Sequence, residues 1–207
     1  NIIFKIFIII IIIGIIKMNN LYDINKKDLN KFLNKYQTCN IIESIHPPSN
    51  KIIAIGDIHG DFDVIKLALK KAEVIDRNNN WIGGDSIVVQ VGDVFDGGGR
   101  GHSRCNKKDI EEVKILEFLY DLNRKAQLHG GKVISLIGNH ELMNILGDFR
   151  YVSKEHIEAM GGLNKRRQIL KPGGILAKKI ACNSLGIVKI GDWVFVHGGL
   201  LPEHFNI

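Results

Sequence analysis

A chain of 207 residues, 45% hydrophobic and 24% charged, has the composition and length of a globular protein with a real core, which excludes disordered and collagen-like chains. Its formal net charge of +6 comes from scattered lysines. No basic and aromatic interleaving surrounds Trp81 or Trp193, so both are expected in the core or at its rim and no specific nucleic-acid binding is expected. Three cysteines, Cys39, Cys105 and Cys182, are odd in number and lack CxxC spacing, so they suggest neither a disulfide framework nor a thiolate zinc site and fit a reducing, cytoplasmic compartment.

In chain order, residues 6–16 form an uninterrupted apolar run between Lys5 and Lys17, too short for a membrane span, which needs about 20 residues. Residues 1–17 are read as an untranslated upstream segment, with Met18 as the start. The alternative is an apolar leader, which would make the protein secretory or membrane-associated. Residues 18–50 are expected to be a helical segment and linker, with Leu21, Leu29, Phe32, Leu33 and Tyr36 at helical spacing and Pro47 and Pro48 ending it. The remaining domain, 51–207, alternates strand and helix. Residues 51–55, 86–91, 132–137 and 193–196 are rich in Val and Ile and read as buried strands. Between them, Asp61 caps a helix over 62–72 whose apolar face holds Val64, Ile65, Ala68, Leu69 and Ala72. A second helix over 109–128 carries Ile110, Val113, Leu116, Leu119 and Leu122, acids at its start and Gly130 and Gly131 after its end.

Each strand runs directly into a polar motif: GDIHG at 56–60, GDVFD at 92–96, GNHE at 138–141 and HGG at 197–199. Taken singly, a Gly-Asp pair is a common turn and a loop histidine is usually solvated. Four in series, each bringing a carboxylate, imidazole or carboxamide beside small glycines, point to oxygen and nitrogen ligands for Mn²⁺, Fe or Zn²⁺ at the carboxyl ends of the strands.

This series resembles the calcineurin-like metallophosphoesterases, specifically their phosphoprotein phosphatase branch, whose signatures GDxHG, GDxxDRG, GNHE and HGG are matched in order over about 51–202. The run GNHELMNILGDFRYV at 138–152 is similar to the Shewanella-like phosphatases of bacterial type and their large DNA virus relatives. The resemblance implies an α/β fold, an α/β/β/α sandwich with metal-binding loops at strand C-termini. It implies two divalent metal ions, Mn²⁺ first with Fe or Zn²⁺ as alternatives, that activate water and neutralise a phosphoryl group. It assigns Asp57 and His59 to one metal, Asp93 to both, and Asn139 and His197 to the second. His140 becomes the general acid, Asp96 its orienting carboxylate, and Glu141 a residue that orients rather than ligates. The expected activity is a protein serine/threonine phosphatase acting on a phosphorylated protein or small phosphoester. Alternatives are a dinucleoside polyphosphate hydrolase and a non-catalytic phosphate-binding remnant.

Two departures qualify it. Gly97 stands where the family has an arginine that grips phosphate, so Arg100, or Arg104 beside it, is the expected replacement, and Gly97→Arg is expected to raise substrate affinity. A further histidine and arginine expected downstream of HGG are not found before Ile207, so the domain reads as incomplete at its C-terminus, His204 being a surface histidine. Lys165, Arg166 and Arg167 are expected on a solvated helical face, and Cys105 is incidental.

Overall fold

In the computed structural model, residues 42–97 and 111–205 are described, without the side chains of Glu203 and Phe205. The expectations for residues 1–17, for most of 18–50, and for Arg100, Arg104 and Cys105 therefore lie outside the described residues.

Four parallel strands form the central sheet in the order β2 (Ile52–Ile55), β3 (Ile87–Gln90), β4 (Lys132–Leu136) and β5 (Ser184–Leu185). Parallel neighbours need crossovers. These are α1 (Phe62–Lys71), α2 (Glu111–Gln127), and a run of four helices, α3 (Asn139–Leu146), α4 (Lys154–Ala159), α5 (Leu163–Leu170) and α6 (Ile175–Asn183), before β5. A second sheet pairs β1 (Ile45–His46) parallel to β6 (Ile187–Ile190) and β6 antiparallel to β7 (Trp193–Val196).

Strand alternation sends the two faces of the central sheet into two cores. On one face Val88 and Val133 pack with Ile65 and Leu69 of α1 and Ile115 and Leu119 of α2. On the other, Ile87, Val89, Ile134 and Leu136 meet Val188 and Ile190 of the second sheet. The described residues thus form three stacked layers, helices, sheet and sheet, in the expected α/β architecture. The fourth predicted strand lies in the second sheet, at its edge, and is less buried than expected: Trp193 is 68% exposed and Val194 48%. Trp81 is in the core, its indole N–H donating to the Gly84 carbonyl. The short strands β1, β5 and β6 and helices α3, α4 and α6 were not anticipated. Cys182 is disulfide-bonded, against the expectation of no disulfide; the other cysteines lie outside the described residues.

Asp61 caps α1 as its sequence implies, its Oδ1 accepting from the N–H groups of Asp63 and Val64 at 3.1 and 3.0 Å. That cap fixes where the first motif stops and the helix begins. Asp61→Ala should lower stability by about 1 kcal/mol, read as a lower urea midpoint with an unchanged slope.

Candidate active site and metal centre

The parallel strands end on one edge, and the loops that leave β2 and β3 are joined there. The N–H groups of Ile58 and His59 donate to the Asp93 carbonyl at 3.0 and 2.9 Å, and Gly60 N–H donates to Val94 O at 2.7 Å. His59, Asp93 and Asp96 all have positive φ, 47°, 56° and 68°, a conformation uncommon outside glycine but most tolerated by Asp, Asn and His. It brings the His59 and Asp93 side chains to the cleft and the Asp96 side chain behind it, against His140. The third loop is pressed against the second: a Cβ on Gly138 would overlap Asp93 Oδ1, so only glycine lets the start of α3 approach that carboxylate.

Asp93 is 3% exposed. Its Oδ1 accepts the His140 backbone N–H at 2.9 Å, while Oδ2 lies 3.3 Å from His197 Nε2 and 3.9 Å from His140 Nε2. Two groups of ligand atoms share it: Asp57, Asp93 and His197, and His59, Asp93 and His140, each within 4.8 Å of one another. Asn139 Oδ1 joins the first, 2.9 Å from His197 Nε2. The structure therefore brings together Asp57, His59, Asp93, Asn139, His140 and His197. Asp96 sits behind His140, its Oδ2 2.7 Å from His140 Nδ1.

Residues 50–206 match the calcineurin-like phosphoesterase family. The chain belongs to that family. It is 35% identical over 208 residues to Shewanella-like protein phosphatase 2 of Arabidopsis thaliana, covering 80% of this chain and 50% of that one. It is 36% identical over 181 residues to Shewanella-like protein phosphatase 1 of Plasmodium berghei, covering 86% and 45%. Among solved structures it resembles the cold-active protein-tyrosine phosphatase of a psychrophilic Shewanella species, with a TM-score of 0.66, 32% identity, and coverage of 80% and 47%. The chain spans about half the length of these relatives.

Membership in the calcineurin-like family implies divalent metal ions, and the donor atoms fit them. His59 Nδ1 lies 2.9 Å from the Phe95 carbonyl and His197 Nδ1 2.9 Å from that of Val91. A carbonyl only accepts, so each Nδ1 carries the proton and each Nε2 turns toward the cleft. His59 Nε2 is buried with no hydrogen-bond partner. His197 Nε2 faces two acceptors, Asn139 Oδ1 and Asp93 Oδ2, an arrangement that is repulsive for a neutral imidazole and that a cation among the three relieves.

Behind the cleft lies a polar network that the sequence reading missed. Asn144 Nδ2 donates to Asp96 Oδ1 at 2.8 Å, and the Asp96 N–H donates to Glu112 Oε1 at 2.8 Å. Arg166, expected in solvent, is fully buried and bonds Glu112 Oε2 at 2.8 Å. His156 Nδ1 lies 3.1 Å from Glu112 Oε1. The available signal was positional: Glu112 falls on the stripe of Ile115, Leu116 and Leu119, and Arg166 shares a face with Leu170. A charge on an apolar stripe needs a buried partner. Burial would raise the Glu112 carboxyl, but Arg166 and His156 hold it at about 2. Burial lowers His156, yet the bond to Glu112 leaves it raised overall. Burial pushes Asp96 up, opposed by Asn144 and His140 donating to it.

Gly97 is not an open place for an arginine. A Cβ there would stand 2.5 Å from the His59 carbonyl oxygen and 2.7 Å from His156 Cε1, so the expectation that Gly97→Arg raises substrate affinity is reversed. Gly97→Ala and Gly97→Arg should both push on the first loop at His59, weakening divalent-metal binding in calorimetric titration and costing about 1–3 kcal/mol of stability.

Glu112 provides a pH test. Its folded pKa is depressed below the ordinary 4.5 to about 2, so its contribution is complete above 4.5 and is lost as pH falls toward 2. Glu112→Gln should cost about 3 kcal/mol near neutral pH. The gap to wild type in urea midpoint should close as pH drops through 4. A gap that stays constant to pH 3 would contradict the assignment.

Proposed function

We propose that this chain carries the hydrolytic site of a metal-dependent phosphoprotein phosphatase, a protein serine/threonine phosphatase in the first reading. The observation that supports it most is the convergence of Asp57, His59, Asp93, Asn139 and His197 on one cleft edge, with the buried His140 and Asp96 pair beside them. Those five residues would hold two divalent ions, Mn²⁺ preferred and Fe or Zn²⁺ alternative. When bound, such ions supply a nucleophile from water at neutral pH and neutralise the phosphoryl charge.

The chain's own residues account for the rest. Asp93 is positioned to serve both ions, because the His140 N–H fixes one of its oxygens and leaves the other facing His197 and His140. His140 is 2% exposed and keeps Nδ1 on Asp96, so Nε2 is the atom left to give a proton to the departing oxygen. His59 packs edge-on against His140, ring centroids 4.8 Å apart, which limits rotation of the acid.

A second reading, phosphotyrosine as substrate, is favoured by the Tyr151 ring tilted over His140 at 5.2 Å, where an aryl leaving group would lie. The name of the solved Shewanella neighbour points the same way. Phosphate release with Mn²⁺ should be measured on phosphoserine, phosphothreonine and phosphotyrosine peptides, an aryl phosphate and a dinucleoside tetraphosphate. Turnover is expected on the first two peptides. A preference for the tetraphosphate would replace the phosphatase reading, and metal binding without turnover on any substrate would leave only a phosphate-binding remnant. His140→Asn should lower kcat by about 10²–10⁴-fold with Mn²⁺ occupancy retained; loss of the metals in that variant would instead make His140 a ligand.

A further inference from the structure

The guanidinium of Arg166 has no contact with the cleft, yet each of its nitrogens is engaged by the groups that hold the acid. Nε donates to Asn144 Oδ1 at 2.8 Å, Nη1 to Glu112 Oε2 at 2.8 Å, and Nη2 to Glu112 Oε1 at 3.3 Å and Asp96 Oδ1 at 3.4 Å. The rings of Phe95 and Phe149 lie 5.6 and 6.0 Å from its centre. The bond from Nε settles which way the Asn144 amide points, since only its oxygen can accept from Arg166. Its NH₂ is then turned to Asp96 Oδ1 at 2.8 Å and to the His140 carbonyl, one helical turn back, at 2.9 Å. With Oδ1 of Asp96 taken by Asn144 and Arg166, Oδ2 is the oxygen left for His140 Nδ1.

We propose that Arg166 is a positioning residue for the general acid: through Asn144 and Asp96 it fixes the His140 ring so that Nε2 faces the leaving oxygen. This rests on the phosphatase reading above. In the step concerned an oxygen from water bonds to phosphorus, its surplus proton passing to solvent, while the P–O bond to the leaving group breaks, its electron pair stays on that oxygen, and the oxygen takes the Nε2 proton of His140. Nδ1–H remains bonded to Asp96 throughout, and Nε2 regains a proton from solvent. A loose acid costs most when the leaving oxygen is a poor leaving group and almost nothing when it departs readily as an anion. A merely structural arginine would instead slow both alike.

The test compares the full-length, Mn²⁺-loaded wild type with Arg166→Met and Asn144→Leu on phenyl phosphate and on 2,4-dinitrophenyl phosphate. On phenyl phosphate kcat should fall ~10–100-fold with KM unchanged, against less than ~2-fold on the dinitrophenyl ester. The double variant should be no slower than the slower single one, because both act by one route. Equal losses on the two esters overturn the proposal. Asn144→Leu leaves the Arg166–Glu112 pair intact, so it carries the comparison if Arg166→Met does not fold. A second readout needs no turnover: in the Zn²⁺-loaded, ¹⁵N-histidine protein, the His140 Nδ1–H proton, assigned by its loss in His140→Asn, should shift or exchange away in both variants. If the wild type hydrolyses nothing, the phosphatase reading fails, and an unmoved resonance in the folded variants would still refute the positioning role.

Discussion

Four backbone N–H groups converge on one buried carboxylate. Asp93 and Gly138 donate to Oε2 of Glu141 at 2.9 and 2.7 Å, and Val94 and Phe95 donate to Oε1 at 2.7 and 3.0 Å. Three successive N–H groups turned toward one anion require a tight loop, and that loop is what gives Asp93 its positive φ. Holding a non-glycine residue there costs on the order of 1 kcal/mol or more, which charge-assisted hydrogen bonds can offset. Burial raises the Glu141 carboxyl, while the Gly138, Phe95 and Asp93 N–H groups pull it back. A glutamine would bring an NH₂ against N–H donors and open the loop. Asp93, the His140 N–H bonded to it and the Asn139 start of α3 all take their places from this residue.

The second buried carboxylate, Glu112, does for His140 and Asp96 what Glu141 does for the Asp93 loop. It accepts the Asp96 N–H and so fixes the far end of the same loop, and it bonds both Arg166 and His156. Buried ion pairs seldom add net stability over well-packed apolar residues, because desolvation consumes the attraction. The arrangement makes more sense as orientation. Helices α2, α3, α4 and α5 each supply one member, Glu112, Asn144, His156 and Arg166, so the Asp96 carboxylate is referenced to four elements at once and cannot rotate independently of them.

The convergent site was legible because its residues sit in short motifs placed directly after Val- and Ile-rich strands: β2, β3 and β4 end on one edge of the parallel sheet, and β7 of the second sheet brings His197 to the same place. The Asp61 cap and the stripe of α2 were legible for the same local reason. Arg166 was misread because three adjacent basic residues look like a solvated face, and only the helical phase relative to Leu170 separates the middle one from its neighbours. Asn144 and His156 gave no local signal: the carboxylates they bond, Asp96 and Glu112, are 48 and 44 positions away. The second sheet hid for another reason. Strands of two residues, such as β1 and β5, are too short to show a period, and β7 at a sheet edge lacks the burial its apolar run suggests.

Position 97 lies where the cleft loops meet the buried network. An arginine there would face phosphate from the rim of the loop, but here the backbone lies tight against the His59 carbonyl, and His156, which belongs to the buried network, fills the adjoining space. Arg166, buried behind this turn, directs its guanidinium to Asp96 and Glu112. On the phosphatase reading proposed above, a leaving group would meet the side of the cleft around His140, where Tyr151 is 38% exposed and its ring tilts over the imidazole at 5.2 Å.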